Sequence, residues 1–316
     1  MLRDEDITLE RLIEGRSTGL CYSLIAGLDA IDLSMMFKDL CIERLNRKAR
    51  EIEMRYEQGG CNWSQTAYSF IMYYLLGKAN RTASQRLTSI VPHTLLMREN
   101  SALHKIEALL LGGAGLLDIF SDSFAEPIKT EFQHLAAKYS ITPLSADEWQ
   151  LSGIHLNNHP ALRLAQIAAC IHNNTISISS IAGCKSDKDV HKMFSCAASD
   201  YWVDALSRHN HDRSISSKVG SVMSKIIAIN AIAPLLYTYS NYVESYTINE
   251  KALDILYDSS AEDNTYIRKW HTFKPIATDA FSSQALIQLS TEYCKRGRCH
   301  ECPLARQLLH PRKPRP

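Results

Sequence analysis

Little in this chain alternates. Runs with strand periodicity are scarce, and no Asn-Gly or similar dipeptide sits between two alternating segments, so a hairpin-built architecture is excluded. ISISSIAG (176–183) is the one candidate strand. Glycine and proline are also sparse, 13 and 10 among 316 residues, as in an ordinary soluble globular chain that can bury a core. The opening MLRDEDITLE is charged and lacks the apolar stretch of a secretory leader. The longest apolar run, IIAINAIAPLL (226–236), is interrupted by Asn230 and Pro234 and is too short to span a bilayer, so no membrane role is expected. A net charge of +1 excludes a protein that coats nucleic acid or membrane with its whole surface. Missing too are a Gly-rich phosphate loop and a Ser/Cys–His nucleophile motif, and no recognisable catalytic pair of acid and base remains.

What is present is helical periodicity. Leu33, Phe37, Leu40, Leu45, Ala49, Ile52 and Tyr56 recur at spacings of three to five, predicting a long amphipathic helix. Glu43, Arg47, Glu51 and Arg55 form a four-residue ladder on its other face, read as a solvated face. Ser101 is expected to cap a helix ending on Gly112–Gly113 in the left-handed conformation. Ser145 and Glu148 stand in capping-box spacing, and Pro160 suits a first helical turn. Pro234 is expected to kink or end the helix that begins near Lys218. The fold class is therefore all-α, with about a dozen helices in a domain over 1–290, a cysteine knuckle and last helix over 291–310, and a loose basic tail over 311–316.

Nine cysteines is an odd number, and six are scattered through helical patterns, which suits reduced thiols in a cytoplasm better than a disulfide framework. The other three are Cys294, Cys299 and Cys302, in the spacing C-x4-C-x2-C. Thiolates so close in sequence converge easily on one metal centre, and soft sulfur suits zinc and iron–sulfur chemistry alike. A helix through SQALIQLSTEY is expected to end at Cys294, Gly297 to allow the turn, and Cys302–Pro303 to start a short helix, PLARQLL. A fourth ligand is needed, and His300, His310 and Cys21 are the candidates. The plant-type ferredoxin shares this spacing but needs a cysteine further along, and none follows here. The CPL ending resembles the iron–sulfur loop of helical DNA repair glycosylases, although Leu308 stands where the fourth cysteine would fall.

Charge is uneven. The residues beyond Cys294 carry +6 and those before it about −5. Lys295, Arg296, Arg298, Arg306, Arg312 and Lys313 surround the knuckle and are candidate phosphate contacts for DNA or RNA. Aromatic residues able to stack on bases are nearly absent after Tyr293, which argues against sequence-specific single-strand reading. Two weaker constellations remain. Asn158, Arg163 and Gln166 sit at a helix start, where an anion could bind, although an internally paired arginine is the simpler reading. His209, His211 and Asp212 are possible hard-metal ligands on what reads as a loop, and are more simply solvated polar residues.

Eight pieces together carry a family resemblance: CIERLNRKAREI, Asn62–Trp63, IEALLLGGAGLL, NNHPALRLAQIAA, Tyr201–Trp202, AINAIAPLLYTY, AEDNTYIRKW and SSQALIQLSTEYCKRGRCHECPL. In this order, over about residues 40 to 305, they resemble the bacterial domain-of-unknown-function family 2851. Longer members look two-part, with a restriction-type nuclease core in front and a helical half behind. The resemblance implies that this chain matches the back half and works with a separate nuclease-like chain. The nuclease activity does not carry over, because no Asp…Glu-x-Lys arrangement on a strand is found. His155–Leu156 stand where the family pattern implies Arg-Pro. A histidine there would hold an anion only weakly near neutral pH.

Overall fold

The computed structural model describes residues 18–120, 122–210, 215–272 and 275–309. Helices dominate them, and among the described residues there is no strand, only one antiparallel bridge between Ser260 and Asp279. The ISISSIAG segment is a helix, Ile178–Gly183, because the Ser177 side chain accepts the Ser180 N–H (3.1 Å) as an N-cap. Contacts divide the chain into two compact units, residues 1–48 with 256–316 and residues 49–255.

The 49–255 unit is built around the helices Trp63–Leu75, Pro160–His172 and Ser221–Ile227 with its continuation. Pro160–His172 is buried on every face, including Arg163 and Gln166, so its polar side chains must find partners inside the protein. A second buried stretch begins at Ile106, in the helix Leu103–Glu107, and runs into a π-helical turn, Ala108–Gly112. The N-cap of that helix is Ala102, not Ser101, so the expected serine cap is not made. The double glycine is not the left-handed stop either, since Gly113 has φ −60°. A Cβ on Gly112 would lie 2.2 Å from the Phe132 ring, and one on Gly113 would lie 2.6 Å from Val91. Close packing explains both glycines, and the left-handed residue is Gly115 (φ +67°). Ser145 and Glu148 do form the expected capping box.

Pro234 does not end its helix. The residues before it form a π turn, Ala228–Ile232, in which the Ala233 N–H reaches back five residues to the Ala228 carbonyl. The wider turn removes the clash of the ring with a carbonyl four residues back, and the helix continues to Tyr242. The resulting stretch, Ser221–Tyr242, has 22 residues and is long and apolar enough by length and composition to cross a membrane. The 226–236 run is thus part of a longer helix than expected. Yet 67% of its apolar window is buried, as in the core helix of a globular unit.

The other unit joins both ends of the chain. It contains Thr18–Gly27, the first part of Ala30–Gln58, Thr265–His271, Ala280–Gln288 with a π turn Leu289–Cys294, and Pro303–Leu309. Phe37, Leu40 and Leu45 are buried, as the periodicity predicts, with Trp270, Phe281, Leu286 and Leu289. Each such side chain contributes about 1.5–3 kcal/mol when fully buried. Asn264 caps Thr265–His271 by accepting from Tyr266 N (3.0 Å) and Ile267 N (3.1 Å), and Asp279 caps Ala280–Gln288. The predicted charge ladder is only half made. Glu51 pairs with Arg55 (3.4 Å), but Glu43 accepts from the Tyr293 hydroxyl (2.8 Å) and Arg47 approaches Glu292 (3.9 Å). Glu43 and Arg47 are packing contacts within this unit rather than a solvated face.

Candidate metal centre

The helix Ala280–Gln288 leads into the cysteine run as expected, with one difference. Its final turn is π-helical, with the Lys295 N–H donating to the Ser290 carbonyl (3.0 Å), and it ends at Cys294. Gly297 (φ +64°) then reverses the chain, Cys299–Glu301 forms a single 3-10 turn, and Pro303–Leu309 is the short closing helix.

This path gathers the C-terminal cysteines. Cys294, Cys299 and Cys302 line one cavity of about 20 Å³, and Cys21, brought in by the Thr18–Gly27 helix, lines it as well. Leu24, Tyr293, Leu304 and Ala305 complete the wall. Of the candidate fourth ligands, Cys21 is therefore the one at the cavity. His300 is turned away, exposed and 3.0 Å from Glu301, and His310 lies outside the described residues. Among the described residues, no group of three or more His, Cys, Asp or Glu side chains is placed so that it could hold a metal ion.

The thiols feel one another. Burial, then the Cys302 and Cys299 sulfurs, push Cys21 up to about 11. Desolvation, then the same neighbours with Cys21, push Cys294 up to about 12. Burial raises Cys302 as well. Near neutral pH and with no cation present, these three groups are thiols. A metal centre would displace their protons, which is the usual coupling of thiolate ligation to pH.

A second pocket, of about 340 Å³, shares Cys21 and Cys294 with this cavity. Tyr22, Tyr266, Lys269, Trp270 and Lys295 line it. Trp270 is fixed there by its N–H to Ser290 Oγ (2.8 Å) and by edge contact with Tyr22. Nothing in the sequence pattern pointed to this pocket, because its residues come from three separate segments.

The basic flank is partly neutralised. Arg296 pairs with Glu292 (2.9 Å), Arg298 with Glu301, and Lys295 donates to the Tyr266 hydroxyl. Arg306 is exposed, and Arg312 and Lys313 lie outside the described residues. Asn158, Arg163 and Gln166 are brought together in the other unit. There, Arg163 donates to Gln166 Oε1 (3.0 Å) and Asn158 Oδ1 (2.8 Å), and Gln166 donates to the Ser216 carbonyl (3.0 Å). The arginine is paired internally. His155 serves locally, its Nδ1 accepting from Asn157 N (3.2 Å). The side chains of His209, His211 and Asp212 lie outside the described residues.

The family model described as "Protein of unknown function (DUF2851)" matches residues 4–265, and the chain belongs to this family. The matched span includes Cys21 and stops short of the three C-terminal cysteines. Neither a curated protein nor a solved structure matches the chain.

Proposed function

Taking membership of this family as the premise, we propose that the chain is a non-catalytic helical module, stapled by a thiolate-bound metal, that associates with DNA or RNA in the cytoplasm. Cys21, Cys294, Cys299 and Cys302 are its metal ligands, for zinc or an iron–sulfur centre. A nuclease-like partner chain would supply the chemistry that this chain does not carry. The observation behind the metal reading is the shared cavity of the four cysteines. Lys295, Arg296, Arg298 and Arg306 flank that staple, which would hold them in place as phosphate contacts.

Four such contacts give a log–log salt slope of about −3.6, or about a 150-fold loss of affinity between roughly 50 and 200 mM salt. Polarisation titration of the metal-loaded chain against labelled duplex and single-stranded probes measures this. No binding at low salt overturns the nucleic-acid role. The pairing of Arg296 with Glu292 and of Arg298 with Glu301 favours a second reading. In that reading the metal only ties down the C-terminus of a scaffold for protein partners, and Cys299→Ser lowers stability without touching any binding to nucleic acid.

A further inference from the structure

The 49–255 unit holds a cavity of about 670 Å³, a volume in the range of small-molecule sites. Ile119, Phe120, Leu151, Ile154 and Leu206 give it an apolar wall, and its titratable side chains are Asp122, His159 and Arg208. Their charges are not equally available. Asp122 Oδ1 already accepts from the Tyr201 hydroxyl (2.7 Å), Ala125 N (3.1 Å) and Phe124 N (3.2 Å), and its other oxygen lies 3.6 Å from Arg208. That distance is an ion pair without a hydrogen bond, and the Arg208 side chain is 68% exposed. Arg208 Nε donates to the Asp204 carbonyl (3.3 Å), which leaves the Nη groups for a further acceptor.

A second positive charge stands at one end of this cavity. His159, which lines it, is the N-cap of Pro160–His172, where the positive end of the helix dipole lies. Arg163, one turn into that helix, is only 3% exposed, and its partners are the neutral amide oxygens of Asn158 and Gln166. Its Nε has no partner, and among the described residues no carboxylate pairs with it. Because Asn158 precedes the helix, the bond to it draws the guanidinium toward the helix start that the cavity adjoins. A buried charge without a counter-ion is costly, and an anion nearby offsets part of that cost.

We propose that this cavity binds a small amphipathic acid, with its apolar chain against Phe120, Ile154 and Leu206 and its carboxylate on Arg208, beside the start of Pro160–His172. A cation is disfavoured there, because the Asp122 carboxylate is already engaged while Arg163 and Arg208 repel it. Such a site needs neither the metal nor the nucleic acid proposed for the chain, and its failure would leave both untouched.

Calorimetric titration of the full chain with decanoate and with decyltrimethylammonium, both below micelle formation, tests this. The expected result is one decanoate bound per chain and no measurable binding of the ammonium. Arg208→Gln removes a charge-assisted contact and weakens decanoate binding about tenfold. Ile154→Glu puts a like charge into the half-buried wall and abolishes binding, while Arg98→Gln, at an exposed position outside the cavity, leaves it unchanged. Circular dichroism checks that each variant is folded. No decanoate binding at about 1 mM overturns the site. Ammonium binding as tight as that of decanoate overturns the charge argument. Decanoate binding left intact by either Arg208→Gln or Ile154→Glu overturns the placement.

Discussion

Gly115 is the position where a single methyl group should do most harm. The residue has φ +67° and follows the buried Ile106–Gly112 stretch, with its N–H donating to the Gly112 carbonyl (2.9 Å). An alanine there meets two separate costs. The left-handed conformation costs an L-residue about 1–2 kcal/mol. In addition, the new Cβ would sit 2.0 Å from the Leu144 carbonyl oxygen, a distance no real contact tolerates. That oxygen belongs to backbone held by the Leu144 N–H bond to the Gly113 carbonyl (2.9 Å), so relief means moving the chain and weakening the bond. Shifts of this kind in a packed interior cost about 1–3 kcal/mol more. Gly115→Ala is therefore expected to lose about 2–5 kcal/mol in urea denaturation followed by circular dichroism. Gly60→Ala is the control, because Gly60 has φ +71° and nothing within 4 Å of a built Cβ. It should lose only the conformational share, about 1–2 kcal/mol. Equal losses for the two variants would refute the steric argument, and a Gly115→Ala loss under about 1 kcal/mol would refute both parts.

Two buried carboxyls should give opposite pH dependences. Glu107 is raised by burial, against a hydrogen bond from the Ser199 hydroxyl (2.7 Å), so its folded-state pKa exceeds the unfolded one. The folded chain then holds its proton longer, and wild-type stability falls as pH rises through that window, by up to about 1.4 kcal/mol per pH unit. Glu107→Gln removes this loss, so its stability relative to wild type should climb with pH above about 4.5 and then level off; a gap independent of pH would contradict the reasoning. Glu99 is held down to about 2 by hydrogen bonds from Lys138 and Tyr139, with Lys105 also near. Its contribution is complete above the ordinary carboxylate range and is lost as pH falls toward 2. Glu99→Gln should therefore be destabilising at pH 7 and indistinguishable from wild type near pH 2, as read by urea midpoints.

Sequence reasoning reached furthest where one residue acts on its own backbone. The Ser145 box, the reversal at Gly297 and the start of the last helix at Pro303 were all legible, because caps and turns are set within a few residues. It failed where a side chain's role depends on a distant partner. Glu43 and Arg47 look like a solvated ladder, and only the fold shows Tyr293 and Glu292 beside them. Cys21 stood as one of three candidates, since nothing in its surroundings distinguishes it from the other isolated cysteines. The Thr18–Gly27 helix packing against Pro303–Leu309 is what singles it out.

The three π turns were invisible for a different reason, and they matter most at the cysteines. A π turn adds one residue to a helix and so shifts its apolar pattern by a single position, which periodicity over a short window cannot tell from an ordinary lapse in the stripe. At Ala228–Ile232 the extra residue lets the chain pass Pro234. At Leu289–Cys294 it rotates everything downstream by about 100°, the angle per residue of a regular helix. Tyr293 can then reach Glu43 while Cys294 lines the cavity with Cys21. In an uninterrupted α-helix the two side chains would both be displaced around the axis, and the first cysteine of the C-x4-C-x2-C run would leave the wall that Cys299 and Cys302 share. The spacing of the cysteines thus has meaning only together with the π turn in front of them.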